Sequence, residues 1–163
     1  VDAPARILAL LAAYRATHYE VFLPDGTSAT IHVGQPPPHA VAAWLGTAPF
    51  AAFLTACNPH SHALPEADNA QRLDTLRRRL QAHACRLLDG VGHLPGETWH
   101  EPSLLVAGLA FADVDALARD FHQNAVVIVS AHGVARLRLY RPEWHAVAGD
   151  ADDLEWAQAL VAP

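Results

Sequence analysis

Phe50-Ala51-Ala52-Phe53-Leu54-Thr55-Ala56-Cys57-Asn58-Pro59 is an apolar run that stops on an amide and a proline. It is too short for a typical helix, and the absence of polar alternation marks a strand buried on both faces. Two later segments have the same form, Ser103–Leu109 and Ala125–Val129. Three such strands are expected to form the centre of a sheet, with helices over Leu73–Leu87 and Val114–Phe121 packed on it. Hairpins and helix-linked strands are mixed along the chain. That order predicts a single α+β domain, a mixed and mostly antiparallel sheet with helices mainly on one face.

Before the first of these strands, Ile7, Leu10, Leu11 and Tyr14 fall at i, i+3, i+4 and i+7, one stripe of a helix that Asp2 is placed to cap. From Thr17 the period becomes two. Thr17, Tyr19 and Val21 alternate with His18, Glu20 and Phe22, Pro24-Asp25-Gly26-Thr27 turns the chain, and Ala29–Val33 returns. A short helix over Val41–Leu45 is expected to direct Trp44 inward. Asp68 with Gln71 reads as a capping box for the longest helix, whose stripe is Leu73, Leu76, Leu80, Ala84 and Leu87. Cys85–Val91 fits a strand equally well, and Gly90, Gly92, Pro95 and Gly96 read as turns.

Asp113 is placed to cap a helix that buries Val114, Leu117, Ala118 and Phe121. His132-Gly133 turns the third buried strand into Val134–Tyr140, where Arg136 and Arg138 alternate with Leu137 and Leu139, predicting one solvent face. The strand partners of Thr17–Phe22 and Val134–Tyr140 stay open. Residues 1–141 are read as the domain and 142–163 as a C-terminal tail, with a short docked helix over Asp152–Val161.

A chain of 163 residues fits one domain, and a globule of this size buries roughly 70% of its unfolded surface without needing disulfides or metal. The net charge of −6 with 11 basic residues argues against nucleic acid, which needs a basic stripe to displace counterions. Arg77-Arg78-Arg79 fans around a helix and reads as a solvated face. No apolar run reaches the ~20 residues of a membrane span, so no membrane partner is expected. The first 30 residues lack a basic start and apolar centre, so no signal peptide is expected. With no Met in the chain, the translated start is expected to lie outside it. Cys57 and Cys85 form no CxxC pair and read as free thiols of a reducing compartment, the cytoplasm.

Several polar segments punctuate these elements. They are Tyr14 with Thr17 and Tyr19, then Phe53-Leu54-Thr55-Ala56-Cys57-Asn58-Pro59, then Asn69, Trp99-His100-Glu101-Pro102-Ser103 and Phe121-His122-Gln123-Asn124-Ala125. In this order they resemble the bacterial DUF3293 family, a domain of unknown function, over roughly residues 14–139. That pattern often has an aromatic where Cys57 stands and a glycine where His122 stands. The resemblance implies an α+β fold and a bacterial cytoplasmic protein, and supplies no reaction.

Thr55 and Asn58 end one buried strand, Glu101 and Ser103 enter a second, and Gln123 and Asn124 enter a third. If neighbouring strands are antiparallel, the exit of one lies beside the entry of the next, and these six converge at one edge. Tyr14 and Thr17 join them from the first helix. Convergent polar groups against apolar walls make a small-ligand site, and a small polar molecule is the expected partner. Glu101, set between Trp99 and Leu104, is the candidate catalytic acid or base. The competing reading has the amides and hydroxyls satisfying backbone groups and Glu101 paired with Arg15 or Arg119. Three functions stay open: a binding module, a hydrolase- or transferase-like enzyme using Glu101, and a structural or protein-interaction module.

Metal is not expected. His60 and His62, with His93 and His100 as further candidates, lack the spacing of a ligand set. Cys57 sits among Phe53, Leu54 and Ala56, which favours an inert buried thiol over a nucleophile. No phosphate loop, GxGxxG turn or GxSxG elbow occurs, so no cofactor is expected.

Overall fold

The structure, a computed structural model, describes residues 2–159. Its order is α1 (Pro4–Ala16), β1 (His18–Phe22), β2 (Ser28–Ile31), α2 (His39–Leu45), β3 (Ala51–Leu54), α3 (Glu66–Leu80), β4 (Arg86–His93), β5 (His100–Ala107), α4 (Phe111–Asp120), β6 (Ala125–Val129), β7 (Arg136–Leu139), α5 (His145–Ala148) and β8 (Leu154–Trp156). The strands form one sheet in the order β2-β1-β4-β5-β3-β6-β7-β8. Every pairing is antiparallel except β7 with β8. The α+β class stands, and β5, β3 and β6 are the centre. Leu105 and Val127 are 0% and 2% exposed, as doubly buried strands require.

The helices divide between two faces instead of gathering mainly on one. Side chains alternate across a strand, so Ala51 and Phe53 of β3 face one core while Phe50, Ala52 and Leu54 face the other. The first core holds Ile7 and Leu11 of α1, Val41 and Leu45 of α2, and Trp144. The second holds Leu76 and Leu80 of α3 with Val114, Leu117 and Ala118 of α4. The sheet curls around the first core. Val33, just past β2, bridges Ala135, just before β7, with Gly34 N donating to Ala135 O and Ala135 N to Gln35 O.

Helix starts are set by backbone chemistry more than by side-chain caps. α1 begins after Ala3 with Pro4 at its first position, α3 after Pro65, and α4 after Ala110, none with a side-chain cap. Proline presets the helical φ and lacks the amide hydrogen that a first turn leaves unpaired. Asp2, Asp68 and Asp113 are therefore not caps. Asp2 pairs with Arg6 at 3.1 Å and Arg141 at 3.7 Å, and Asp68 and Asp113 sit in first turns, on the positive end of the helix dipole.

Trp44 is half-buried under the Arg86 guanidinium, 4.8 Å from its ring, and Val41 and Leu45 point inward in its place. α3 ends at Leu80. Ala84 lies beyond it and Leu87 is in β4, so the strand reading of Cys85–Val91 is the one realised. Gly90 and Gly92 lie inside β4 and mark no turn. The arginine face of β7 is also not open to solvent throughout. Arg138 is clamped by both oxygens of Asp115 from α4, at 2.7 and 2.8 Å, and by Glu155 from β8. The tail supplies β8, parallel to β7, where a helix over Asp152–Val161 was expected. Residues 160–163, Leu160 and Val161 among them, lie outside the described residues.

Candidate functional site

Strand parity and register build the site. Thr55 stands one step past the Leu54–Leu104 pair of β3 and β5 and shares the face of Phe53, and Glu101 and Ser103 share the face of Leu105. Glu101 and Ser103 lie across from Gly92 and Gly90 of β4, so their cross-strand neighbours place no side chain beside them. α1 closes the top with Leu10, Ala13, Tyr14 and Thr17. The result is a cavity of about 350 Å³ that also takes in Tyr19, Phe53, Trp99, Val127 and Leu137. It lies at one end of the curled sheet's inner face.

Of the sequence-derived candidates, Tyr14, Thr17, Thr55, Asn58, Glu101, Ser103 and Gln123 line this cavity. Asn124 does not. It stands behind, donating from Nδ2 to Ser61 Oγ at 3.0 Å and accepting from Arg141 Nη1 at 3.1 Å. Ser61 and the Tyr14 hydroxyl are 2.8 Å apart, so a polar chain runs from Arg141 through Asn124 and Ser61 to the cavity wall.

Several candidates serve the backbone. The hydroxyls of Thr17, Thr55 and Ser103 donate to Ala13 O, Pro102 O and Glu101 O, and Gln123 Nε2 donates to Cys57 O at 3.0 Å. These bonds hold the strand ends together, as buried polar groups must. Beside them, Glu101 is the carboxyl that lines the cavity. Its Oε2 accepts from Asn58 Nδ2 at 2.7 Å. Neither Arg15 nor Arg119 reaches it, since Arg15 binds Asp153 and Arg119 binds Gln158 O. Among the described residues it has no ion-pair partner. Burial therefore pushes its carboxyl up to about 7, with the Asn58 amide pulling the other way.

Asn58 is itself built in. Its Oδ1 accepts from Leu64 N at 3.0 Å and Asn69 Nδ2 at 2.8 Å, and its own N donates to Asn69 Oδ1 at 2.9 Å. Its backbone has φ 47°, and His60 and Ser61 follow at 50° and 59°. Left-handed conformations at three non-glycine residues in four are costly and persist only where contacts enforce them. Here they aim Asn58 at Glu101 and Ser61 at Tyr14. His122 has φ 55°, a left-handed conformation that glycine adopts without steric cost.

Ser61 and Asn69 were not among the sequence-derived site residues. Ser61 gives no signal in the sequence, because its place depends on the loop's backbone. Asn69 had one, as an amide inside a landmark segment. Cys57 lies beneath the site, its sulfur 3.7 Å from Pro102 O, and burial raises its thiol pKa. His60 meets His122 edge to face at 5.3 Å, and His93 Nε2 is 3.3 Å from Glu20 Oε2. Among the described residues, no group of three or more His, Cys, Asp or Glu is placed to hold a metal. Nor is any helix among them long and apolar enough to cross a membrane.

The model of one protein family, described as protein of unknown function (DUF3293), matches residues 54–126. The resemblance read from the sequence is thus found over a narrower span than residues 14–139, one that includes Thr55, Asn58, Glu101, Ser103, Gln123 and Asn124 but not Tyr14 or Thr17. No curated protein and no solved structure matches the chain.

Proposed function

We propose that the chain is a small-molecule binding domain whose ligand enters the cavity under α1 and is held by Glu101. The observation that carries this reading is a largely buried carboxyl with one hydrogen-bond donor and, among the described residues, no counter-charge, opening on about 350 Å³ of space. That volume lies in the range of ligand pockets, and an apolar wall with few polar anchors is their usual composition. The aromatic and aliphatic lining calls for a ligand with an apolar body and a polar end, a narrower class than a small polar molecule. The free thiols Cys57 and Cys85 fit a reducing, cytoplasmic setting in a bacterial cell.

A thermal-shift screen against cellular metabolites tests this, run in parallel on an Ala13→Phe variant whose ring fills the cavity. A true ligand at 100 times its Kd adds about 2.7 kcal/mol to the stability of the natural protein and nothing to the variant. Equal shifts in both place the binding elsewhere.

A second reading, an enzyme of hydrolase or transferase type with Glu101 as general acid or base, is favoured by its carboxyl lying near 7, where proton transfer in either direction is efficient. It requires turnover of a bound metabolite that disappears in Glu101→Gln.

A further inference from the structure

The charge inventory of the cavity is one-sided. Among the described residues, Glu101 is the sole carboxyl in its lining, and no Arg or His joins it. The chain has no Lys, all 11 of its basic residues being Arg. The Arg side chains nearest the site are spent elsewhere. Arg72 donates to Ala56 O and Phe121 O, and Arg141 to Asn124 and Glu143. The other titratable groups facing Glu101 are Tyr14 from α1, Tyr19 from β1 and Cys57 from the segment after β3. All three are neutral acids whose pKa values burial raises.

Around this lone carboxyl stand four aromatic rings, Tyr14, Tyr19, Phe53 and Trp99. Tyr19 and Phe53 meet edge to face with centroids 5.2 Å apart. Trp99, in the loop between β4 and β5, is 38% exposed at the mouth. Aromatic faces attract cations through the ring quadrupole, most strongly where water is excluded. A buried carboxylate is costly until a counter-charge reaches it. Once Glu101 is ionised, an anionic ligand meets repulsion here, and a neutral one leaves that cost standing.

From the lone carboxylate, its aromatic surround and the absence of any cation beside it among the described residues, we propose that the ligand is a small organic cation. It is an amine or ammonium compound whose charged end meets Glu101 and whose apolar body lies along Leu10, Val127 and Leu137. This rests on the cavity being a ligand site. The bound ammonium supplies the counter-charge that the fold withholds, so binding takes the proton off Glu101. The Asn58 amide already holds Oε2, and Oε1 accepts no hydrogen bond from the described residues, which leaves it for the ligand.

Benzylamine, benzyl alcohol and benzoate share a body and differ in charge, and isothermal titration of the three at about pH 8, where Glu101 is mostly ionised, decides the matter. The amine is expected to bind best, with affinity falling about tenfold or more in Glu101→Gln. That variant keeps the side chain's size and removes a buried charge, so its fold is retained. Trp99→Leu, at the rim, is expected to weaken the amine more than the alcohol. Binding of the alcohol or the carboxylate in preference to the amine overturns the cation and keeps the pocket. Amine binding that Glu101→Gln leaves unchanged overturns the role of Glu101. If none of the three binds at millimolar concentration, the cation proposal falls, and the thermal-shift comparison with Ala13→Phe decides separately whether the cavity is a ligand site.

Discussion

At Asn58 a left-handed backbone and five hydrogen bonds meet in one residue: its Nδ2 to Glu101, its N to Asn69, its Oδ1 from Leu64 N and Asn69, and its O from Ser61 N. Asn58→Ala forfeits the three side-chain bonds and keeps the strained φ. A loss of about 2–4 kcal/mol in urea unfolding is expected. Asn58→Gly forfeits the same bonds and relieves the backbone, so it is expected to fall between Ala and the natural protein by about 1 kcal/mol. Equal stability of all three contradicts the place given to this residue. Asn58 was legible because an amide that ends an apolar run needs something to hold it. Ser61, three residues on, was not. Its contact with Tyr14 follows from positive φ at non-glycine residues, which no composition rule announces.

β4 shows the same division at the level of an element. Its glycines were read as turns, the commonest use of the residue, and the structure uses them for close approach and empty space. A Cβ on Gly90 would stand 2.7 Å from Glu20 O and 2.9 Å from Phe53 Cε2, whereas one on Gly92 would meet only Thr17 and Trp99 at 3.6 and 3.7 Å. Gly90→Ala is expected to cost about 2 kcal/mol or more, because a main-chain oxygen in a paired strand cannot step aside. Gly92→Ala is expected to be neutral or slightly stabilising, since strand glycine carries an entropic cost, while narrowing the cavity. Chemical denaturation of both checks this, and equal loss in the two contradicts the packing described. The central strands β3, β5 and β6 were legible for the opposite reason. Burial on both faces removes alternation and leaves a plain apolar run. Helix starts were misplaced where Pro65 and Ala110 precede a helix without a side-chain cap, leaving Asp68 and Asp113, already inside the first turn, to look like caps about one turn too late.

Over the whole molecule, antiparallel pairing of β3 with β5 and β6 carries most of the polar strand ends to one cavity, an arrangement that followed from the sequence only on the condition that neighbouring strands are antiparallel. The curl that joins Val33 to Ala135 did not, because it depends on contacts between segments about a hundred residues apart. Nor did the division of the helices between two faces, which turns a polar edge into a cavity roofed by α1. The account rests on Glu101 being largely withdrawn from water at the cavity wall with no counter-charge among the described residues. Its carboxyl then keeps a proton in the folded state up to about 7, against 4.5 for an ordinary glutamate. Between those values the native protein binds a proton that the unfolded chain has released. The contribution of Glu101 to stability is full below the lower value and is lost as pH rises through the upper one. Titration of the Glu101 side-chain carboxyl by ¹³C NMR measures this most directly. A midpoint near 7, moving down when benzylamine is bound, is the result predicted; a midpoint near 4.5 in the free protein contradicts the account.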